Sequence, residues 1–142
     1  MALEGKMLNI VLVDDDEVDV MNVQRAFKKN NIPNPLFVAN NGIEALEMLR
    51  GDPSVVPLHR RLILLDLNMP QMGGIEFLRE MRADETLKSI PVIVLTTSNE
   101  DNDKVEAYQL NVAGYILKPV TFSKFLESMV ALNKYWMLCE ML

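Results

Sequence analysis

The sequence predicts an α/β fold in which helices cover both faces of a parallel sheet. Short apolar runs, NIVLV, LFVA, LILL, VIVL and GYIL, recur along the chain, and a segment with helical character follows each. Runs such as LILL are continuous, which marks strands covered on both faces, because a strand with one face in water alternates apolar and polar residues.

Taken in order, Asn9 to Val13 is the first strand, and Val18 to Asn30 follows with Val20, Val23 and Phe27 on one helical face. Leu36 to Ala39 is the second strand, Asn41-Gly42 a turn, and Ile43 to Leu49 a helix closed by Gly51. Leu62 to Leu65 is the third strand. The Gly73-Gly74 pair breaks the loop after it, and Ile75 to Met81 is amphipathic. Pro91 opens the fourth strand, followed by polar TTSNEDND and a short helix around Lys104 to Leu110. GYIL is the fifth strand, then Lys118-Pro119, then a long helix from Thr121. Five βα units in 142 residues imply a flavodoxin-like (βα)5 doubly wound sheet with strand order 2-1-3-4-5, as one domain over 1–142.

Composition narrows the function classes. No stretch approaches the roughly 20 apolar residues of a membrane span, and MALEGKMLNI lacks the basic start and apolar core of a signal peptide. A cytoplasmic protein is expected. The lone cysteine, Cys139, excludes an internal disulfide. A formal charge of −6, with no lysine or arginine stripe to offset it, argues against a nucleic-acid partner.

Function is sought where such sheets bind ligands, outside the carboxyl ends of the strands. Strand one ends in Asp14-Asp15-Asp16-Glu17, strand three in Asp66, strand four in Thr96-Thr97-Ser98 and strand five in Lys118. Carboxylates converging from strands one and three repel one another, a conflict that a hard divalent ion resolves. Mg2+, or Mn2+ in its place, is the expected cofactor. Each piece also has a plainer reading. Asp16 or Glu17 is a natural helix cap, an aspartate at a strand end is often a turn former, Thr-Thr-Ser before a helix is capping chemistry, and Lys-Pro is a common surface turn. A calcium loop from Asp15 fails because Val20 stands where that loop needs glycine. The specific signal is the combination, with acids, a hydroxyl and a lysine at successive carboxyl ends.

VLVDDDE, LLDLNMPQMGG, PVIVLTTS and GYILKP together resemble the receiver domain of two-component response regulators. The resemblance implies that Asp66 is the phosphoacceptor. It implies an acidic pair of Asp14 and Asp15, with Asp15 and Asp66 giving side-chain oxygens to magnesium and Asn68 its backbone carbonyl. Thr96 is then the hydroxyl that meets the phosphoryl group, Lys118 its counter-ion, Thr97 the neighbour that tunes access, and Tyr115 the aromatic that turns inward. The face built from helix four, strand five and helix five is expected to switch. The protein is then a signalling phosphoacceptor rather than an enzyme, and its partner a sensor histidine kinase.

The last helix carries Phe122, Phe125, Met129, Leu132, Trp136 and Cys139 at spacings of three and four. About 20 helical residues span roughly 30 Å, against about 17 Å for a five-residue strand, so the last turns should overhang the sheet. An apolar overhang favours a homodimer, with Leu132, Tyr135 and Trp136 as interface candidates, over a tail that folds back onto its own domain or frays. This tail, the insert GDPSVVPLHRR and DETLKSIPVIVLTTS resemble single-domain regulators that serve phytochrome-type kinases, whose members often carry glutamate at the Asp14 position. The resemblance therefore implies a light-sensing kinase, such as a bacteriophytochrome, as the donor. His59, in the insert, reads as a surface residue. Among rivals, an aspartyl phosphatase would need a second acid where Asn68 stands, and a flavin carrier a phosphate loop where DDDE stands. A receiver-like module that takes no phosphate is disfavoured by the set of Asp15, Asp66, Thr96 and Lys118.

Overall fold

The computed structural model describes residues 7–52, 54–118 and 121–141. Its elements are β1 (Asn9–Val13), α1 (Glu17–Lys29), β2 (Leu36–Ala39), α2 (Gly42–Arg50), β3 (Arg61–Leu65), α3 (Gly74–Ala83), β4 (Val92–Thr96), α4 (Asp101–Gln109), β5 (Gly114–Leu117) and α5 (Phe122–Leu138). All strands are parallel and run in the order β2-β1-β3-β4-β5, as the alternation predicts. Pro119 and the side chain of Phe122 lie outside what is described.

Every residue of β1, β3 and β4 is buried, and the period of two divides them between two cores. Val11, Val13, Ile63 and Leu65 point to one face and pack with Leu46, Phe77 and Met81 of α2 and α3. Ile10, Leu12, Leu62 and Leu64 point to the other and pack with Val23, Phe27, Phe125 and Met129 of α1 and α5. Helix α4 is the weakly held element. It buries only Ala107, and no side chain caps its start.

Boundary differences trace to capping. The Asp16 carboxylate accepts from the Val18 and Asp19 amides at 2.9 and 3.2 Å, so α1 begins at Glu17, ahead of its first apolar residue. After β3 the left-handed backbone is taken by Gln71 and Met72, at φ 51° and 79°, not by the glycines. Gly74 is instead required for space. A Cβ there would stand 2.6 Å from the Asp66 carbonyl oxygen and 2.7 Å from the Leu67 Cα.

The overhang expected at the end of α5 is corrected at Trp136. The residue is only 9% exposed and packs in the core of Phe125 and Met129. The cause is Arg60 of the insert, buried with φ 50°, which donates to the carbonyl of Cys139 at 2.9 Å and to that of Trp136. These are the orphan acceptors of a helix end, and satisfying them draws the last turn onto the sheet. Leu132 and Cys139 are half-buried against the same core. Tyr135 and Leu138 stay exposed, Tyr135 with its ring edge-on to Trp136. His59 is exposed, as expected. Among the described residues no helix is long and apolar enough to cross a membrane.

Candidate functional site

Strand register assembles the site. Val13 pairs with Leu65, and the Asp66 amide donates to the Val13 carbonyl at 2.9 Å, so Asp14 and Asp66 leave adjacent strands at one level. On the other side Thr96 pairs with Leu117, and the Lys118 amide donates to the Thr96 carbonyl at 2.7 Å. Lys118 therefore rises beside Thr96.

Asp14, Asp15 and Asp66 each place a carboxylate oxygen within 4.8 Å of the others, with Asp14 and Asp66 buried and Asp15 exposed. Lys118 Nζ lies 2.9 Å from Asp14 Oδ2, 2.7 Å from Asp19 Oδ2 and 4.0 Å from Asp66 Oδ2. Burial pushes the Asp14 carboxyl above its usual range, although Lys118 and the Asp16 amide at 2.9 Å pull the other way. For Lys118 burial works against the ammonium, but its bonds to Asp19 and Asp14 outweigh that and raise its pKa. The ammonium is the stabilised member of the cluster and Asp14 the strained one. Among the described residues, Asp14, Asp19 and Asp66 gather around this one ammonium and Asp15 stands beside Asp14 and Asp66, leaving a surplus of negative charge. Hard oxygen donors with that surplus fit a Mg2+ or Mn2+ ion.

Thr96 is fully buried, and its hydroxyl oxygen accepts from the amides of Leu67 and Ser98 at 3.4 and 3.3 Å. With two bonds accepted, its own proton is what it has to donate. The Asn68 amide reaches Asp66 Oδ1 at 3.4 Å, and its exposed side chain leans to the Thr97 hydroxyl at 3.5 Å. Tyr115 is partly buried, and its hydroxyl donates to the Ser98 carbonyl at 2.8 Å. Burial, ahead of the other influences, raises its phenol pKa.

Asp19 is absent from the set that the sequence suggests, and Ser98 is in it only as part of a strand end with capping chemistry. Asp19 is the nearest partner of Lys118. It sits in the first turn of the helix that follows the acidic loop, so topology alone places it at this edge. The Ser98 hydroxyl donates to Asp103 Oδ2 of α4 at 2.5 Å while the Ser98 carbonyl holds Tyr115, so this residue joins the end of β4 to both. Leu132, Tyr135 and Trp136 belong to the distal part of α5, near the opposite edge, where Arg60 holds it.

The response regulator receiver domain model matches residues 10–130. The chain belongs to that family. As a receiver it is similar to the probable methanogenesis regulatory protein FilR2 of Methanothrix harundinacea, at 34% identity over 90% of this chain and 83% of that protein. It is also similar to the response regulator Rcp1 of Synechocystis, at 33% over 90% and 88%. A Mn2+-bound Rcp1 structure superposes with TM-score 0.74 at 31% identity, covering 94% of this chain and 96% of that one. The phosphorylated cyanobacterial phytochrome response regulator RcpA superposes with TM-score 0.78 at 34%, covering 95% and 98%. Receivers are signalling proteins with a divalent-ion site in an acidic pocket, and phytochrome-associated regulators are among this receiver's homologues.

Proposed function

We propose that this receiver takes a phosphoryl group from a phosphohistidine of a sensor histidine kinase onto Asp66, and that the change is read out on the face of α4, β5 and α5. The P–N bond to the histidine breaks as a P–O bond to an Asp66 carboxylate oxygen forms, giving an acyl phosphate. The observation that carries this reading is the placement of Asp66, buried at the carboxyl end of a rigid strand with Lys118 Nζ 4.0 Å away. Phosphoryl transfer asks the protein mainly for position and for balance of charge.

Asp14, Asp15 and Asp66, with the Asn68 carbonyl, are the groups that would hold Mg2+ or Mn2+. When bound, the ion neutralises charge on the phosphoryl oxygens. Lys118 balances a further oxygen, and Thr96 donates its proton to one. Thr97 borders the approach of water. A move of Thr96 toward the phosphoryl group pulls on Ser98, whose amide its oxygen holds, and through Ser98 on Tyr115 and Asp103. Helix α4, with little buried, yields most readily.

A phytochrome-type kinase as donor is supported by the likeness to Rcp1 and RcpA, whereas FilR2, equally similar, is named for methanogenesis. Self-association is supported by the exposed apolar residues of α4, β5 and α5, with Tyr135 more available than Leu132 or Trp136. A cytoplasmic site of action and one domain over 1–142 fit this reading. The test is labelling by a phosphorylated histidine kinase or by acetyl phosphate. Asp66→Asn should abolish it, and equal labelling of that variant would move the acceptor elsewhere.

A further inference from the structure

We propose that Asp19 is a positioning residue that parks Lys118 in the unphosphorylated protein, so that the ammonium must leave Asp19 to reach the phosphoryl oxygens. The inference rests on Asp66 being the acceptor. Lys118 Nζ lies 2.7 Å from Asp19 Oδ2 and 2.9 Å from Asp14 Oδ2, whereas Asp66 Oδ2 stands at 4.0 Å. An ammonium has three donors. Two serve carboxylates other than the acceptor, and the acceptor is beyond hydrogen-bond range.

The two partners differ in how easily they release it. The Asp14 side chain is 2% exposed, so losing Lys118 would strand a buried charge. The Asp19 side chain is 34% exposed, so water can take the ammonium's place. Asp19 is nonetheless well placed, because its own amide donates to the cap Asp16 at 3.2 Å, which ties it to the loop of Asp14 and Asp15. An acid in a first turn is ordinarily a partner for the helix dipole, and Glu17 already serves there. What sets Asp19 apart is its hold on the ammonium. Asp19 thus sets a threshold that a phosphoryl group must overcome.

The test is fluoroberyllate affinity at saturating Mg2+, read from the 19F NMR signal of the bound anion on the full chain. Asp19→Asn should bind about three- to tenfold tighter, the scale of one partly exposed charge pair. Asp19→Glu should stay within about twofold of the parent, since it keeps the charge. In a Lys118→Ala background, Asp19→Asn should change nothing. An unchanged or weaker affinity in Asp19→Asn overturns the proposal, as does an equal gain when Lys118 is absent, which would be a general field effect. A parent protein that takes up no fluoroberyllate overturns the acceptor role of Asp66 first and this inference with it. Uptake by the parent with no response to Asp19→Asn removes the inference alone.

Discussion

At the amino-terminal edge of the sheet Arg60 and Arg61 are buried, and their guanidinium groups donate to main-chain carbonyls of Trp136, Cys139 and Leu49. Asn9 and Asn34, buried at the same edge, donate to the carbonyls of His59 and Leu8. At the carboxyl-terminal edge Asp14 and Asp66 are buried too, but each lies against another carboxylate. A cation meeting neutral acceptors is settled once its bonds are made. Like charges that share the single ammonium of Lys118 stay in surplus until a further cation arrives. The same fold therefore uses buried charge as a clamp at one end and as a reserve of binding free energy at the other.

The largest way to break the clamp is Trp136→Ala. It removes a ring packed with Phe125 and Met129 and should lower stability by about 3 kcal/mol in urea unfolding. Fluoroberyllate uptake at the far edge should survive in the folded fraction. A loss of uptake with stability intact would join the two edges and undo the contrast. Gly74→Ala should cost somewhat less, about 2 kcal/mol, but should damage both properties. Its Cβ would press on the backbone of Asp66 and Leu67, which cannot rotate away as a side chain could. Unchanged Mg2+ affinity, measured by titration, would mean that the carboxylate is not set by that backbone.

These two positions also mark what was legible in the sequence. Strand order and the convergence of Asp14, Asp15, Asp66, Thr96 and Lys118 could be read because apolar runs and loop chemistry are local, and parallel topology then brings the strand ends together. The fate of Trp136 could not. It depends on Arg60, 76 residues away in sequence, in an insert whose composition reads only as loop. Gly74 has the sequence signature of a loop breaker, while its role is room beneath Asp66, which only the packing of the fold shows. Asp19 does not stand out because an acid in a first helical turn also reads as a partner for the helix dipole, and only the fold shows its bond to Lys118.

The smallest effects, and the sharpest, come from one carboxylate at each edge. Near the amino-terminal edge, hydrogen bonds from the Thr86 hydroxyl and amide, then from Arg50, hold the Asp84 carboxyl down to about 2 from 3.8. A carboxyl with a depressed folded pKa stabilises the fold when ionised. That contribution is complete above 3.8 and fades as pH falls toward about 2. At the other edge burial holds Asp14 above its usual 3.8, so its ionised form costs stability at neutral pH, and the cost lifts as pH falls through the raised value. In metal-free protein at pH 7, Asp84→Asn should lower the urea midpoint and Asp14→Asn should raise it. As the solution is acidified the two differences should shrink at different points, the Asp14→Asn gain first, because Asp14 takes up its proton at the higher pH. Added Mg2+ should narrow the Asp14→Asn gain, since only the carboxylate offers a full charge to the ion. Midpoints that move in the same direction for both variants would show that the acids at the two edges serve one purpose.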